Sequence, residues 1–262
     1  MIKKYRGSLS TCIMLVAATF FLFFFSIFFT FSGSHSVYAV ELFSKDEAPF
    51  GISYDDWISK YWNWDFSLNT DEFTPKPEGC LINKSGSLVM LMGTHVGGSH
   101  YQVCEISSTQ GILVPLWVAW CSTADPGHEH DSDEQLTKCA REVYNLGNIR
   151  SEVKVDGLPV AKLDVRMSLI SGKLDYKINS LTNVTEFYSK GFNIILPPDT
   201  HQADVNPGTW RAGSHGWWVF LKPLPAGEHK IFYNVRVTPT GALTSPGTNP
   251  VFADITYLFK VK

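Results

Sequence analysis

Gly216-Trp217-Trp218-Val219-Phe220-Leu221-Lys222-Pro223-Leu224-Pro225-Ala226-Gly227-Glu228-His229-Lys230-Ile231-Phe232-Tyr233-Asn234-Val235-Arg236-Val237-Thr238 reads as two strands and the turn between them. In the second half Ile231, Tyr233, Val235 and Val237 occupy every other position, and polar or differently facing residues take the rest. A period of two gathers the first set on one face, as in an antiparallel strand half-buried against a core. Pro223 to Gly227 supplies the turn residues. In the first half, neighbours face opposite sides. One of Trp217 and Trp218 therefore belongs to the core, and the other is a candidate for the outside.

Outward from this pair the C-terminal half reads as β-structure. Val153-Lys154-Val155 and Val160 flank Asp156-Gly157, a strong hairpin signal. Further strands are predicted over 162–169, 174–179, 192–196 and 253–262. The stretch 197–215 is polar and punctuated by Gly and Pro, and reads as a surface loop. Toward the N-terminus, 87–92, 101–106 and 112–120 are apolar, β-branched or aromatic runs. Pro115 inside the third predicts an edge position or a bulge.

Two helices interrupt the strands. Over 53–66, Ser53 stands as cap before Asp55 and Asp56, and Trp57, Tyr61 and Trp64 recur at i, i+4, i+7 with Ile58 and Trp62 beside them. That stripe either plugs a core or forms a sugar-stacking or membrane-seating surface. Over 133–146, Ser132 and Gln135 make a capping box, Gly147 marks the stop, and Leu136, Cys139, Ala140 and Val143 share one face. No repeat or composition break marks a second domain. About nine short strands separated by turns predict a mainly β fold, a single antiparallel β-sandwich over 40–262, jelly-roll or Ig-like, with two peripheral helices.

The whole chain has 262 residues with 22 basic and 25 acidic side chains, yet one segment distorts these totals. No charged residue lies between Gly7 and Val40, and eight of the 18 Phe fall between Phe20 and Phe31. Lys3, Lys4 and Arg6, an apolar run over 12–31, and Val37-Tyr38-Ala39 have the anatomy of an export signal. The apolar run is also long enough for a helix that spans a bilayer. Residues 1–39 are thus a signal peptide cleaved after Ala39 or an uncleaved N-terminal anchor. Both place the body outside the cytoplasm, secreted or anchored, and confine membrane contact to this segment. The remaining body carries 19 basic and 25 acidic side chains, and this net −6 disfavours non-specific nucleic-acid binding.

Cys12 lies in the apolar run, which leaves Cys80, Cys104, Cys121 and Cys139. Four cysteines in an exported chain suggest two disulfides, with three connectivities open. Cys80–Cys104 and Cys121–Cys139 are favoured, each closing a short loop between neighbouring elements. The inward helical position of Cys139, within reach of Cys121 at a strand end, is the main warrant for the second. No C-x-x-C pair supports a cysteine metal site. Asn83-Lys84-Ser85 and Asn183-Val184-Thr185 are N-glycosylation sequons where the cell glycosylates its exports.

Seven His remain in the body. His95 and His100 sit in a Gly-rich turn, His128 and His130 in an acidic loop, and His201 and His215 in or near the 197–215 stretch. Imidazole with carboxylate suits zinc or copper, so a metal site on these loops is one expectation, no cofactor the other. No G-x-S-x-G elbow, H-E-x-x-H helix or phosphate loop is present, and the Asp55-Asp56 pair fits a helix start better than a glycosidase site. A hydrolase is the weakest reading. Trp210, Trp217 and Trp218 are candidate contacts for a glycan or an envelope-protein partner. The functional expectation is a non-enzymatic binding or structural module that uses loops at one end of the sandwich; the alternative is an envelope metal-binding protein.

Several stretches together resemble a functionally uncharacterised family of exported microbial proteins. These are Tyr54-Asp55-Asp56-Trp57 with Tyr61-Trp62-Asn63-Trp64, Met92-Gly93-Thr94 with Gly97-Gly98, Gly111-Ile112-Leu113-Val114-Pro115, Val155-Asp156-Gly157, the three cysteines Cys80, Cys104 and Cys121, and Gly216 to His229. The resemblance implies an exported, disulfide-stapled, sandwich-like fold. It implies no reaction and no catalytic residues.

Overall fold

The computed structural model describes residues 39–262 apart from 75, 77–78, 94–96, 144–146, 171–172, 203–204 and 239–250. The apolar run over 12–31, His95 and the end of the second predicted helix lie outside the described residues. Within them are twelve strands: β1 (Ile82–Asn83), β2 (Leu88–Leu91), β3 (Gly98–Ile106), β4 (Gly111–Ser122), β5 (Asn148–Val155), β6 (Leu158–Ile170), β7 (Lys173–Thr182), β8 (Thr185–Tyr188), β9 (Phe192–Leu196), β10 (Gly208–Leu221), β11 (Gly227–Thr238) and β12 (Val251–Val261). Three helices join them: α1 (Tyr54–Ser67), α2 (Thr70–Phe73) and α3 (Asp133–Val143).

The strands form two six-stranded sheets in the mainly β, sandwich-like arrangement that their pattern predicts. One runs β1-β2-β4-β10-β8, with β9 also on β10, and the other runs β3-β12-β11-β5-β6-β7. Pairing is antiparallel except for β2 on β4 and β3 on β12, which are parallel. In β11 the alternation is realised as expected: Ile231, Tyr233, Val235 and Val237 are buried, and the residues between them are half-buried. Asp156 and Gly157 turn the β5–β6 hairpin with φ of 53° and 83°, the left-handed pair that its tight turn demands.

β10 differs from β11, because from Ala212 to Leu221 every residue is buried. Trp217, Val219 and Leu221 join the core shared with the second sheet. Trp218 and Phe220 join a second core, roofed by Trp57, Ile58, Tyr61, Trp62 and Phe66 of α1. The aromatic stripe of α1 is thus a plug. Ser53 caps the helix by accepting from Asp56 N, and Trp62 donates from Nε1 to Ser214 Oγ at 2.8 Å. Neither Trp217 nor Trp218 reaches the outside, since the helix covers the face that one of them was expected to expose.

β4 lies between β2 and β10, and Pro115 sits at a bulge: Trp218 pairs with Pro115 and Trp217 with Trp117, so Leu116 is the extra residue. Its consequence is a change of parity. Before the bulge Ile112, Val114 and Leu116 face the first core; after it Trp117 takes over that side, so Leu116 and Trp117 both pack there. Ala119 and Cys121 follow two and four residues on, beneath Leu136 and Ala140 of α3. Both disulfides form as favoured, Cys80–Cys104 and Cys121–Cys139.

The stretch 197–215 is a loop only in part, because β10 begins at Gly208. Its polar, Gly-containing sequence there reflects close approach of α3 rather than solvent. A Cβ on Gly213 would lie 2.3 Å from Thr137 N and 2.6 Å from the Leu136 carbonyl carbon. β1 and β8, two and four residues long, have no sequence pattern to betray them. Before the Pro-rich connector, Asn69 and Glu72 form an unexpected capping box for α2.

Gly213→Ala is therefore expected to destabilise the fold by about 1–3 kcal/mol through overpacking. Chemical denaturation of the variant measures it, and an unchanged midpoint would show that α3 does not rest on this strand.

Candidate functional site

The two sheets meet through a polar cluster built on β8. The strand pairs with β10 so that Tyr188 lies opposite His215 and Glu186 opposite Trp217. Alternation sends Phe187 toward the α1-covered core and Glu186 and Tyr188 to the other side. Across from them is Tyr176, carried by β7 of the second sheet.

Glu186 is the hub. It accepts from Tyr176 Oη at 2.5 Å, from Tyr188 Oη at 2.7 Å and from His215 Nε2 at 3.0 Å. Burial alone would push this carboxyl up, but the hydrogen bonds from His215, Tyr176 and Tyr188 outweigh it and hold it below the usual carboxylate range. Burial and the adjoining carboxylate raise both tyrosines. Arg141 of α3 places its guanidinium carbon 5.6 Å from the Tyr176 ring centre and 5.7 Å from that of Tyr188, within cation–π range.

Beside the cluster, α3 and the chain around β8 enclose a groove of about 630 Å³. From α3 come Asp133, Glu134, Lys138, Arg141 and Glu142; from the other wall come Tyr188, Ser189 and Lys190. The start of α3 is fixed there. Ser132 and Gln135 form the predicted capping box, and Arg211 grips Asp133 through Nε and Nη2 while donating from Nη1 to Asn193. Thr137 donates to the Ser189 carbonyl at 3.0 Å, tying helix to wall. Tyr188 is 41% exposed, at the junction of cluster and groove.

The other site residues singled out in the sequence are spread apart. Trp210 is half-buried against the α1 core and donates from Nε1 to the Asn206 carbonyl. His100 lies with Nε2 3.1 Å from the Gly97 carbonyl oxygen. His201 stacks on Phe73 with ring centres 3.8 Å apart and sets Nε2 3.5 Å from Asp65. His128 pairs with Asp131, and His130 stands exposed in the same loop. His229 joins Asp156 at the hairpin turn. Among the described residues no three His, Cys, Asp or Glu side chains converge as a metal cage would require. Asn83 accepts from Ser85 in β1, and Asn183 is exposed in the β7–β8 turn with Nδ2 on the Val160 carbonyl.

Of the cluster, only His215 stood out in the sequence. Tyr176, Glu186, Tyr188 and Arg141 carry no motif, because they converge from three elements. Neither a protein-family model, nor a curated protein, nor a solved structure matches the chain. No family is thereby identified; of what the resemblance implies, the two disulfides and the sheet-rich body are present. The disulfides point to an oxidising, extracytoplasmic environment.

Glu186→Gln is expected to cost about 1–3 kcal/mol near neutral pH, because it removes charge from a buried acceptor with three donors. A carboxyl held low in the folded state stabilises above its unfolded value, about 4.3. That contribution is lost as pH falls through the folded value. The gap between wild type and variant should therefore be full near pH 7 and closed by strong acid, which denaturation across this range reads directly.

Proposed function

We propose that the body is a non-catalytic, extracytoplasmic recognition module that binds a neutral saccharide in the groove between α3 and β8. The carrying observation is the groove's balance of charge. Asp133, Glu134 and Glu142 are interspersed with Lys138 and Arg141 along α3, and Lys190 stands on the other wall beside Tyr188, three charges of each sign in all. A wall whose charges cancel offers a net anion or cation little Coulombic advantage. A polyol uses both signs, donating its hydroxyls to the carboxylates and accepting from the cations. The half-exposed Tyr188 adds an apolar ring with a polar tip.

The state of Glu186 supports recognition rather than bond cleavage. It is held ionised and engaged by three donors, so it has no proton to give and its oxygens are already committed. The N-terminal segment supports export, whether the body is released or held at the membrane by residues 1–39, and two disulfides suit that setting.

The test is a screen of neutral oligosaccharides by glycan array and calorimetry at physiological salt. Lys138→Ala and Glu142→Ala, both exposed and outside the Glu186 cluster, should each weaken the selected glycan by about tenfold, roughly one lost charge-assisted hydrogen bond. Trp210→Ala should bind normally. A screen with no neutral-glycan binding, or affinity that survives both groove variants and falls with Trp210→Ala, overturns the proposal.

A further inference from the structure

The loop between β4 and α3 folds back on the Cys121–Cys139 disulfide. Asp125 closes its first turn by accepting from Ser122 N at 2.7 Å, and His128 N then donates to the Asp125 carbonyl. Asp131 N returns to the His128 carbonyl at 3.0 Å, which sets the two side chains side by side. The His128 Nδ1 lies 2.7 Å from Asp131 Oδ2, and its Nε2 lies 3.7 Å from Cys139 Sγ. A carboxylate can only accept, so Nδ1 is the donor there and Nε2 is the nitrogen left facing the sulfur. The two sulfurs are unequal. Cys121 is buried beneath Leu136 and Ala140, whereas Cys139 is half-buried.

We propose that Cys121–Cys139 is a thiol–disulfide exchange site, with Cys139 as the reactive sulfur and the Asp131–His128 pair as its base. The co-reactant is a dithiol, small or carried by a protein. One of its thiolates attacks Cys139 Sγ, the bond to Cys121 breaks, and Cys121 leaves as a thiolate that takes up a proton. The second thiol of the co-reactant then attacks its own sulfur in the mixed disulfide and closes to a disulfide. Cys139 departs as a thiolate paired with protonated His128. The dithiol loses two electrons and two protons; the cysteine pair gains the electrons, and the protons rest on Cys121 and His128. In reverse, the Cys139 thiolate opens a partner's disulfide and Cys121 resolves it.

The imidazole is required at this position. Cys139 is the seventh of the eleven residues of α3, too far along for the positive N-terminal end of the helix to stabilise a thiolate. A neighbouring imidazole that takes up the thiol proton does so instead, and the Asp131 carboxylate behind it fixes the ring with Nε2 toward the sulfur. Cys80–Cys104 has no such His contact among the described residues, so the same chain contains its own control.

The full chain is equilibrated with graded ratios of reduced to oxidised dithiothreitol and quenched, and each cysteine pair is quantified by mass spectrometry. Cys121–Cys139 should open at a ratio at least tenfold lower than Cys80–Cys104, with the strand circular dichroism retained. In the reduced chain near pH 6, where an ordinary thiol of pKa about 8.5 is scarcely ionised, iodoacetamide should label Cys139 at least tenfold faster than in His128→Ala. Asp131→Asn, which keeps the shape of the loop, should give an intermediate rate. Any one of three results overturns the proposal: Cys80–Cys104 opening first, strand signal lost together with Cys121–Cys139, or labelling unchanged in both variants.

Discussion

Everything in this body depends on a central strand that is buried on both faces. β10 cannot be satisfied by a single partner sheet, because Trp217, Val219 and Leu221 point one way and Trp218 and Phe220 the other. Burying a large side chain is worth roughly 1.5–3 kcal/mol, so exposing either set would consume much of the stability of a domain of this size. The second sheet covers one face, and α1 with its aromatic stripe covers the other. That requirement explains why α1 devotes Tyr54, Trp57, Ile58, Tyr61, Trp62 and Phe66 to packing and anchors itself through Trp62 on Ser214. It also explains why β4 and β2, the neighbours of β10 on one side, divide their residues between the same two cores.

The bulge at Pro115 is the second constraint, and it acts by parity. In an unbroken strand the residues at odd positions of β4 would all face α1, and Cys121 would point away from α3. One extra residue reverses this, so Ala119 and Cys121 come to lie beneath α3 and the disulfide to Cys139 can close. Pro suits the position because it lacks the N–H that a regular ladder would need. With α3 fixed at Cys139, Thr137 and Asp133, Arg141 is delivered to the rings of Tyr176 and Tyr188, and the groove acquires its second wall.

What was legible in the sequence followed from short-range rules. The alternation of β11, the Asp156-Gly157 turn, the Ser53 and Ser132 caps and the inward position of Cys139 each depend on residues a few positions apart. The exposed indole expected at Trp217 or Trp218 failed for the opposite reason: the covering helix lies some 150 residues earlier in the chain, and strand period alone cannot report it. The same holds for Gly208 to His215, where Gly213 admits a helix, Ser214 receives an indole and His215 serves Glu186. Its polar sequence resembles a loop because buried partners, not water, satisfy those groups. Glu186 was silent since its three donors come from β7, β8 and β10, two of them tens of residues away or in another sheet.

The parallel pairing of β3 with β12 has a consequence for the order of events when the chain is made. β3 finds its hydrogen-bonded neighbour about 155 residues downstream, Gly98 beside Ala253, after the eight strands β4 to β11 and the helix α3 have emerged. Until the last strand arrives, that flank of β3 is an unfilled sheet edge, the kind of template on which chains stick to one another. Its opposite flank is occupied early and locally, because Val103 N bonds the Gly79 carbonyl and Cys104 is tied to Cys80. The first disulfide thus acts as a placeholder in time, holding a strand in position for a partner that does not yet exist.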